Sequence, residues 1–274
     1  MQAHTAQAQA AHFDRNDGKL VLAHVFVAFT ALFLGGIAGL LQGMVRGGMF
    51  TLPAGIGYYQ LLTAHGVLMA LIFTTFFIIG FLYSGLSKTL GGKLLPSVRK
   101  MGWIGFWLML IGTVIGVIMI LLNKATVLYT FYAPLKASPL FYIALALLVV
   151  GSWISGFGVF KQYRHWKKEN KGQFSPLFAF MTVTTMLMWQ IATLGVAAAV
   201  LLQFIPWSFG WIDTINVMLT RTLFWYFGHP LVYFWLLPTY ICWYVIIPKV
   251  IGSKIFSDAL ARLTFILLLM FSLP

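Results

Sequence analysis

His229 and Tyr233 stand one helical turn apart in Gly228-His229-Pro230-Leu231-Val232-Tyr233, within an apolar run long enough to lie in a membrane. An ionisable ring in hydrocarbon is costly, so a functional site is the default expectation for His229. A neutral imidazole is the commonest metal ligand, and a phenol both donates and accepts hydrogen bonds. His65 is the other histidine deep inside an apolar run. It follows Tyr58 by seven residues and His229 follows Arg221 by eight, which sets each roughly 10 to 12 Å below one membrane surface. Two imidazoles at one depth point to ligation of metals or haem irons. The competing explanations are a hydrogen bond from His65 to a neighbouring helix, with Thr63 close by, and a polar kink residue at His229 before Pro230.

The run that holds His229 carries a second pattern. Tyr233, Tyr240 and Tyr244 follow it by four, eleven and fifteen residues, and on a regular helix all four fall within about 60° of one another. With intervening waters, such a stripe of hydroxyls relays protons toward a metal at His229. Tyrosines also mark membrane interfaces, an explanation that suits Tyr244 better than Tyr233. Pro230 and Pro238 are expected to kink this helix and loosen the face relation.

The elements that must position these residues are membrane spans. Apolar residues make up 61% of the chain and charged ones only 8%, which excludes an ordinary soluble domain. Six complete spans are expected, near Leu20 to Gly43, Tyr58 to Leu86, Gly102 to Leu122, Pro139 to Phe160, Leu177 to Ile205 and Thr222 to Ile247. A further run from Ala259 to Pro274 is short for a crossing and reads as a truncated seventh. The fold class is thus an all-α polytopic membrane protein, with residues 1–19 as a tail and 20–274 as one membrane domain.

The net charge of +13 is topological rather than a nucleic-acid footprint. All but four of the 18 Lys and Arg residues fall in the tail or in alternate connections, leaving Arg46, Lys124, Lys136 and Arg221 for the other side. That asymmetry predicts a cytoplasmic N-terminus and no nucleic-acid partner. The Lys161 to Lys171 cluster is placed to touch anionic membrane lipid. No cleavable signal peptide is expected in Met1 to Phe13. His4, His12, His165 and His24 are expected in solvent or at the interface. The single cysteine, Cys242, is read as a packing residue, because it lies about 20 Å along the helix from His229. Gly35, Gly36, Gly39, Gly151, Ser152, Ser155, Gly156 and Gly158 are expected to allow close helix approach.

Arg221-Thr222-Leu223-Phe224-Trp225, then Gly228-His229-Pro230-Leu231-Val232-Tyr233-Phe234-Trp235-Leu236-Leu237-Pro238, closely resembles the sixth helix of subunit I in the haem-copper terminal oxidases. Tyr58-Tyr59-Gln60-Leu61-Leu62-Thr63-Ala64-His65-Gly66 resembles that family's second helix. The resemblance implies that His65 is an axial ligand of the low-spin haem. It implies that His229 binds the copper beside the oxygen-reducing high-spin haem, with Tyr233 covalently joined to His229, and that Trp225 packs near that centre. Leu231 stands where A-type members have a glutamate, and the Lys88 to Lys100 stretch lacks an acid, so the similarity is to the B-type enzymes, in which the tyrosine stripe is the principal proton route.

By the same resemblance, the expected function is part of a respiratory oxidase reducing O₂ to water with proton uptake and pumping, in a bacterial or archaeal plasma membrane. Its partners are expected to be oxidase subunit II, small subunits, membrane lipid, and cytochrome c or quinol as electron donor. The family's remaining copper and haem ligands follow the position matching Pro274, so a chain ending there is expected to be an N-terminal half, inactive alone. The alternative class is a non-redox transporter or scaffold in which His65 and His229 line a hydrated cavity.

Overall fold

The computed structural model describes residues 14–273. His4, His12 and most of the expected tail lie outside the described residues. Seven helices follow one another: α1 (Arg15–Arg46), α2 (Tyr58–Thr89), α3 (Pro96–Leu121), α4 (Pro139–Glu169), α5 (Leu177–Phe209), α6 (Val217–Val250) and α7 (Asp258–Ser272). The first six are long and apolar enough to cross a membrane, and the described residues include no strand. A bilayer core offers the backbone no water, so each segment satisfies its own N–H and C=O groups as helix.

The helix ends follow local chemistry rather than the apolar runs. Asp14 accepts from the N–H groups of Asn16 and Asp17, so α1 begins five residues before its apolar stretch. Accepting the Asp17 N–H holds the Asp14 carboxyl below its usual range; this cap therefore stabilises above the ordinary carboxylate pKa and is lost as the pH falls. Pro96 and Pro139 open α3 and α4, where a missing N–H costs nothing. Asn216 and Ser257 cap α6 and α7. The basic stretch from Lys161 to Lys168, expected as a loop, instead continues α4 to Glu169. Arg99 and Lys100 likewise lie on α3.

Small residues bring the helices together where the sequence placed them, with one exception. A Cβ at Gly105 on α3 would lie 2.5 Å from the Gly151 carbonyl oxygen of α4, and one at Gly112 would lie 2.5 Å from that of Ala144. Gly36 faces open space. α4 and α5 are joined by polar side chains: the Trp189 indole donates to Ser152 Oγ at 2.8 Å, and Trp153 donates to Thr193 Oγ1 at 2.6 Å. α2 packs against α1, α4, α5 and α6 and so holds the centre of the bundle.

Two polar features differ from expectation. His24 does not face solvent but is fully buried, with its ring among Phe76, Tyr83 and Phe106 and its Nδ1 donating to the Leu20 carbonyl at 2.9 Å. The early start of α1 carries it nine residues into the helix. Asp17 is also fully buried, and accepts from Ser87 Oγ at 2.8 Å, the Leu94 N–H at 2.7 Å and Arg99 Nε at 2.6 Å. These bonds tie α1 to the end of α2, to the α2–α3 connection and to α3. A buried carboxylate stripped of its cation is strongly destabilising. Arg99→Ala should therefore lower stability by about 3 to 5 kcal/mol, read as thermal unfolding in detergent, whereas Lys168→Ala should leave the melting temperature near its starting value.

Candidate functional site

His65 lies on α2, immediately before a wide turn of π-helix at Val67–Phe73. Such turns recur at functional sites because they re-aim side chains within a continuous helix. The half-buried ring is fixed from α1: Nδ1 is 2.9 Å from the Gly35 carbonyl oxygen, so Nδ1 carries the proton and donates. A Cβ at Gly39 would lie 2.5 Å from Nδ1 and 2.7 Å from Cε1, so the ring rests directly on the α1 backbone. The bond to a neighbouring helix, one of the two explanations for His65, is thus present. It is also the arrangement that suits a metal ligand, because fixing the Nδ1–H tautomer leaves the Nε2 lone pair free. Thr63 serves elsewhere: it donates to the Tyr59 carbonyl and accepts from Leu128 N–H.

His229 lies on α6 twelve residues after Val217, exposed at the wall of a cleft of about 520 Å³. Arg221, Trp225 and Tyr226 of α6 share this wall, and Phe271, Ser272 and Leu273 face them. The Trp225 indole lies over Gly228, where a Cβ would stand 2.7 Å from the ring. The rings of His229 and Tyr233 meet edge-on with centroids 4.8 Å apart. α6 runs through Pro230 and Pro238 without ending, and the irregularity appears one turn later as π-helix at Cys242–Ile246. Tyr240 and Tyr244 are half-buried, against Trp243 and Phe265 respectively. Among the described residues no hydrogen bond links Tyr233, Tyr240 and Tyr244 to one another, and Tyr244 lies within the wide turn.

The structure brings His229, Tyr233 and Trp225 together and keeps His65 apart from them. The α3–α4 connection, which carries no expected site residue, packs against α2 beside His65 and against α6 at Phe224. Leu128 and Phe131 adopt positive φ there, which turns the chain inward. Phe131 is buried against Tyr142, Phe204 and Phe224. Tyr129 packs on Gly66, beside His65, and its ring lies 6.5 Å from that of Phe224 on α6. The Arg221 guanidinium lies 5.4 Å from the Tyr132 ring. Burial pushes the Tyr132 phenol above its ordinary range, while the Trp225 side chain and the Arg221 charge pull the other way. Among the described residues no group of three or more His, Cys, Asp or Glu side chains is gathered to hold a metal.

The class is a helical membrane bundle with one imidazole held through Nδ1 and another paired with a phenol at a cleft, an arrangement compatible with metal cofactors. The sequence profile of the family described as Cytochrome C and Quinol oxidase polypeptide I matches residues 19–274, and the chain belongs to this family. It is 40% identical over 263 residues to cytochrome c oxidase subunit 1 of Thermus thermophilus, covering 93% of this chain and 46% of that one. It is 28% identical over 255 residues to a putative cytochrome c oxidase subunit 1-beta of Streptomyces avermitilis, covering 85% and 44%. A haem-copper terminal oxidase dimer determined by cryo-electron microscopy superimposes with a TM-score of 0.89 at 41% identity, over 95% of this chain and 45% of that one. The chain thus spans about half the length of the relatives it matches.

The Gly39 contact can be tested by itself. A branched side chain at Gly39 overlaps the His65 ring, so Gly39→Val should break the His65–Gly35 hydrogen bond. The ¹⁵N resonance of His65 Nδ1 should move accordingly, while Gly36→Val should leave it in place.

Proposed function

We propose that this chain supplies part of the catalytic subunit of a respiratory haem-copper oxidase that reduces O₂ to water with proton uptake and pumping. The observation that carries the reading is the His229–Tyr233 ring pair at the α6 cleft, within a chain that matches the family along nearly its whole length. Residues 1–19 are the tail and 20–274 the membrane domain, with the N-terminus on the cytoplasmic side of a bacterial plasma membrane. The basic residues in the last turns of α4 and around the α2–α3 connection support that orientation.

His65 is assigned to the iron of the low-spin haem through Nε2, the nitrogen left free by the Gly35 bond. His229 is assigned to copper beside the high-spin haem, with the remaining ligands supplied from outside residues 1–274. Bound there, the haems and copper supply the electron transfer and oxygen chemistry. Gly39 lets the His65 ring seat against α1, and the Leu68 and Met69 side chains close over Gly35 one turn away. Trp225 and Tyr226 wall the cleft beside His229. Tyr233, in contact with His229, is the residue able to give up a proton and an electron. Tyr240 and Tyr244 continue its route toward the cytoplasm through intervening water. Leu231, in place of an acid, supports the B-type assignment and this route as the main one. The partners are oxidase subunit II, small subunits, lipid, and cytochrome c or quinol as donor.

Optical spectra of the intact oxidase test the assignments separately. His229→Ala should abolish O₂ reduction while keeping the low-spin haem band. His65→Ala should lose that band, and its persistence would overturn the ligand assignment. An intact wild-type protein without haem bands or a CO-induced shift would remove the oxidase reading altogether.

A further inference from the structure

His65 donates across a helix interface to a backbone carbonyl, an acceptor that has little freedom to move. Gly35 lies well inside α1, whose 32 residues run without a break. In a regular helix its oxygen also accepts the N–H four residues on, that of Gly39. The α2 side chains close in around it: a Cβ at Gly35 would lie 2.9 Å from Met69 Cγ and 3.1 Å from Leu68 Cβ. Next to the ring, a Cβ at Gly66 would lie 3.1 Å from Tyr129 Cβ of the α3–α4 connection. Three glycines thus bring three segments to one imidazole, and the neighbours they admit are uncharged.

We propose that the Gly35 carbonyl lowers the reduction potential of the iron that His65 holds, and that Gly39 is the positioning residue that sets how far. The proposal rests on the assignment of His65 to the low-spin haem. Donating Nδ1–H to a carbonyl at 2.9 Å leaves more electron density on the imidazole and makes Nε2 the stronger base. A stronger base stabilises iron(III) more than iron(II), so hydrogen bonding behind the ligand shifts the potential downward. An apolar surrounding strengthens such a bond, because no water competes for the carbonyl. The redox change is one electron, iron(III) to iron(II), supplied by the cytochrome c or quinol donor, and the proton stays on Nδ1 in both states. A carrier of lower potential hands its electron on more readily to the oxygen-reducing centre.

Gly39 controls the bond because of where its missing side chain would lie. A Cβ there would stand 2.5 Å from Nδ1, 2.7 Å from Cε1 and 3.2 Å from Cγ, all on the edge of the ring that carries the donated proton. A methyl group at this position displaces that edge and lengthens or bends the hydrogen bond. Gly36, on the same helix three residues before it, faces open space and supplies the control.

The test is a redox titration of the low-spin haem band in the intact oxidase, read beside the ¹⁵N resonance of His65 Nδ1 in the reduced protein. Gly39→Ala should move the resonance and raise the ratio of reduced to oxidised haem about tenfold at a fixed applied potential, a midpoint about 59 mV higher for one electron. Gly36→Ala should change neither. A moved resonance with an unchanged or lower midpoint would overturn the tuning, and an unmoved resonance would overturn the role of Gly39. In both cases loss of the band in His65→Ala leaves the ligand assignment standing, whereas a band that persists there removes the assignment and the tuning together. Should Gly39→Ala lose its haem, Gly35→Ala decides, since its methyl meets the flexible Met69 side chain and parts the two helices at the carbonyl itself. A raised midpoint in that variant supports the tuning, and an unchanged one overturns it.

Discussion

The closest contact in the bundle that matters for chemistry is between an imidazole and a helix backbone. His65 reaches the Gly35 carbonyl only because Gly39, one turn along α1, has no side chain, so α1 and α2 approach to within the thickness of a ring. A hydrogen bond of this kind, made in hydrocarbon, has no competing water and fixes the tautomer as well as the orientation of the ring. The other end of the same helix pair is held by Asp17, whose carboxylate gathers donors from α2, α3 and the connection between them. Two polar anchors, one near each end, therefore set the register of α1 on α2. Lipid supplies little hydrophobic drive for helix association, so small residues and satisfied polar groups have to carry that task.

The fold class was legible because a membrane span is a property of length and composition, and both survive without knowledge of neighbours. The helix ends were less so. Asp14 extends α1 and the residues after Lys161 extend α4, since a capped or water-exposed helix needs no apolar side chains to continue. His65, His229 and Tyr233 stood out by rarity and spacing. What positions them did not: Gly39 under His65 and Tyr129 against Gly66 are contacts between separate segments, with no period in the sequence. His24 and Asp17 were misjudged or passed over for the same reason, because burial near a helix end depends on what packs across it. The wide turns at Val67–Phe73 and Cys242–Ile246 have no compositional mark at all.

The α3–α4 connection shows how a loop serves a membrane site without entering lipid. Its turns at Leu128 and Phe131 fold it back over the bundle, and its N–H at Leu128 finds Thr63 on α2. Phe131 and Tyr129 then fill the space between α2 and α6 near the levels of the two histidines. Irregular backbone is tolerated at such depth only where protein covers it. Tyr129 and Phe131 thus join α2 beside Gly66 to α6 at Phe224 through aromatic contacts.

The tyrosine series on α6 meets a geometric limit that helps define what it does. Tyr233 and Tyr240 are seven residues apart, about 10 Å along the axis, too far for direct hydrogen bonding between their hydroxyls. Tyr244 follows after four more residues, inside the wide turn at Cys242–Ile246. A continuous chain of phenols is therefore excluded, and any relay must be completed by water or by side chains from neighbouring helices. Tyr244 lies on the wall of an open cleft at the end of the bundle, with its ring near Phe265 of α7. The series thus divides by position, with Tyr233 against the His229 ring and Tyr244 beside the open cleft at the far end of α6.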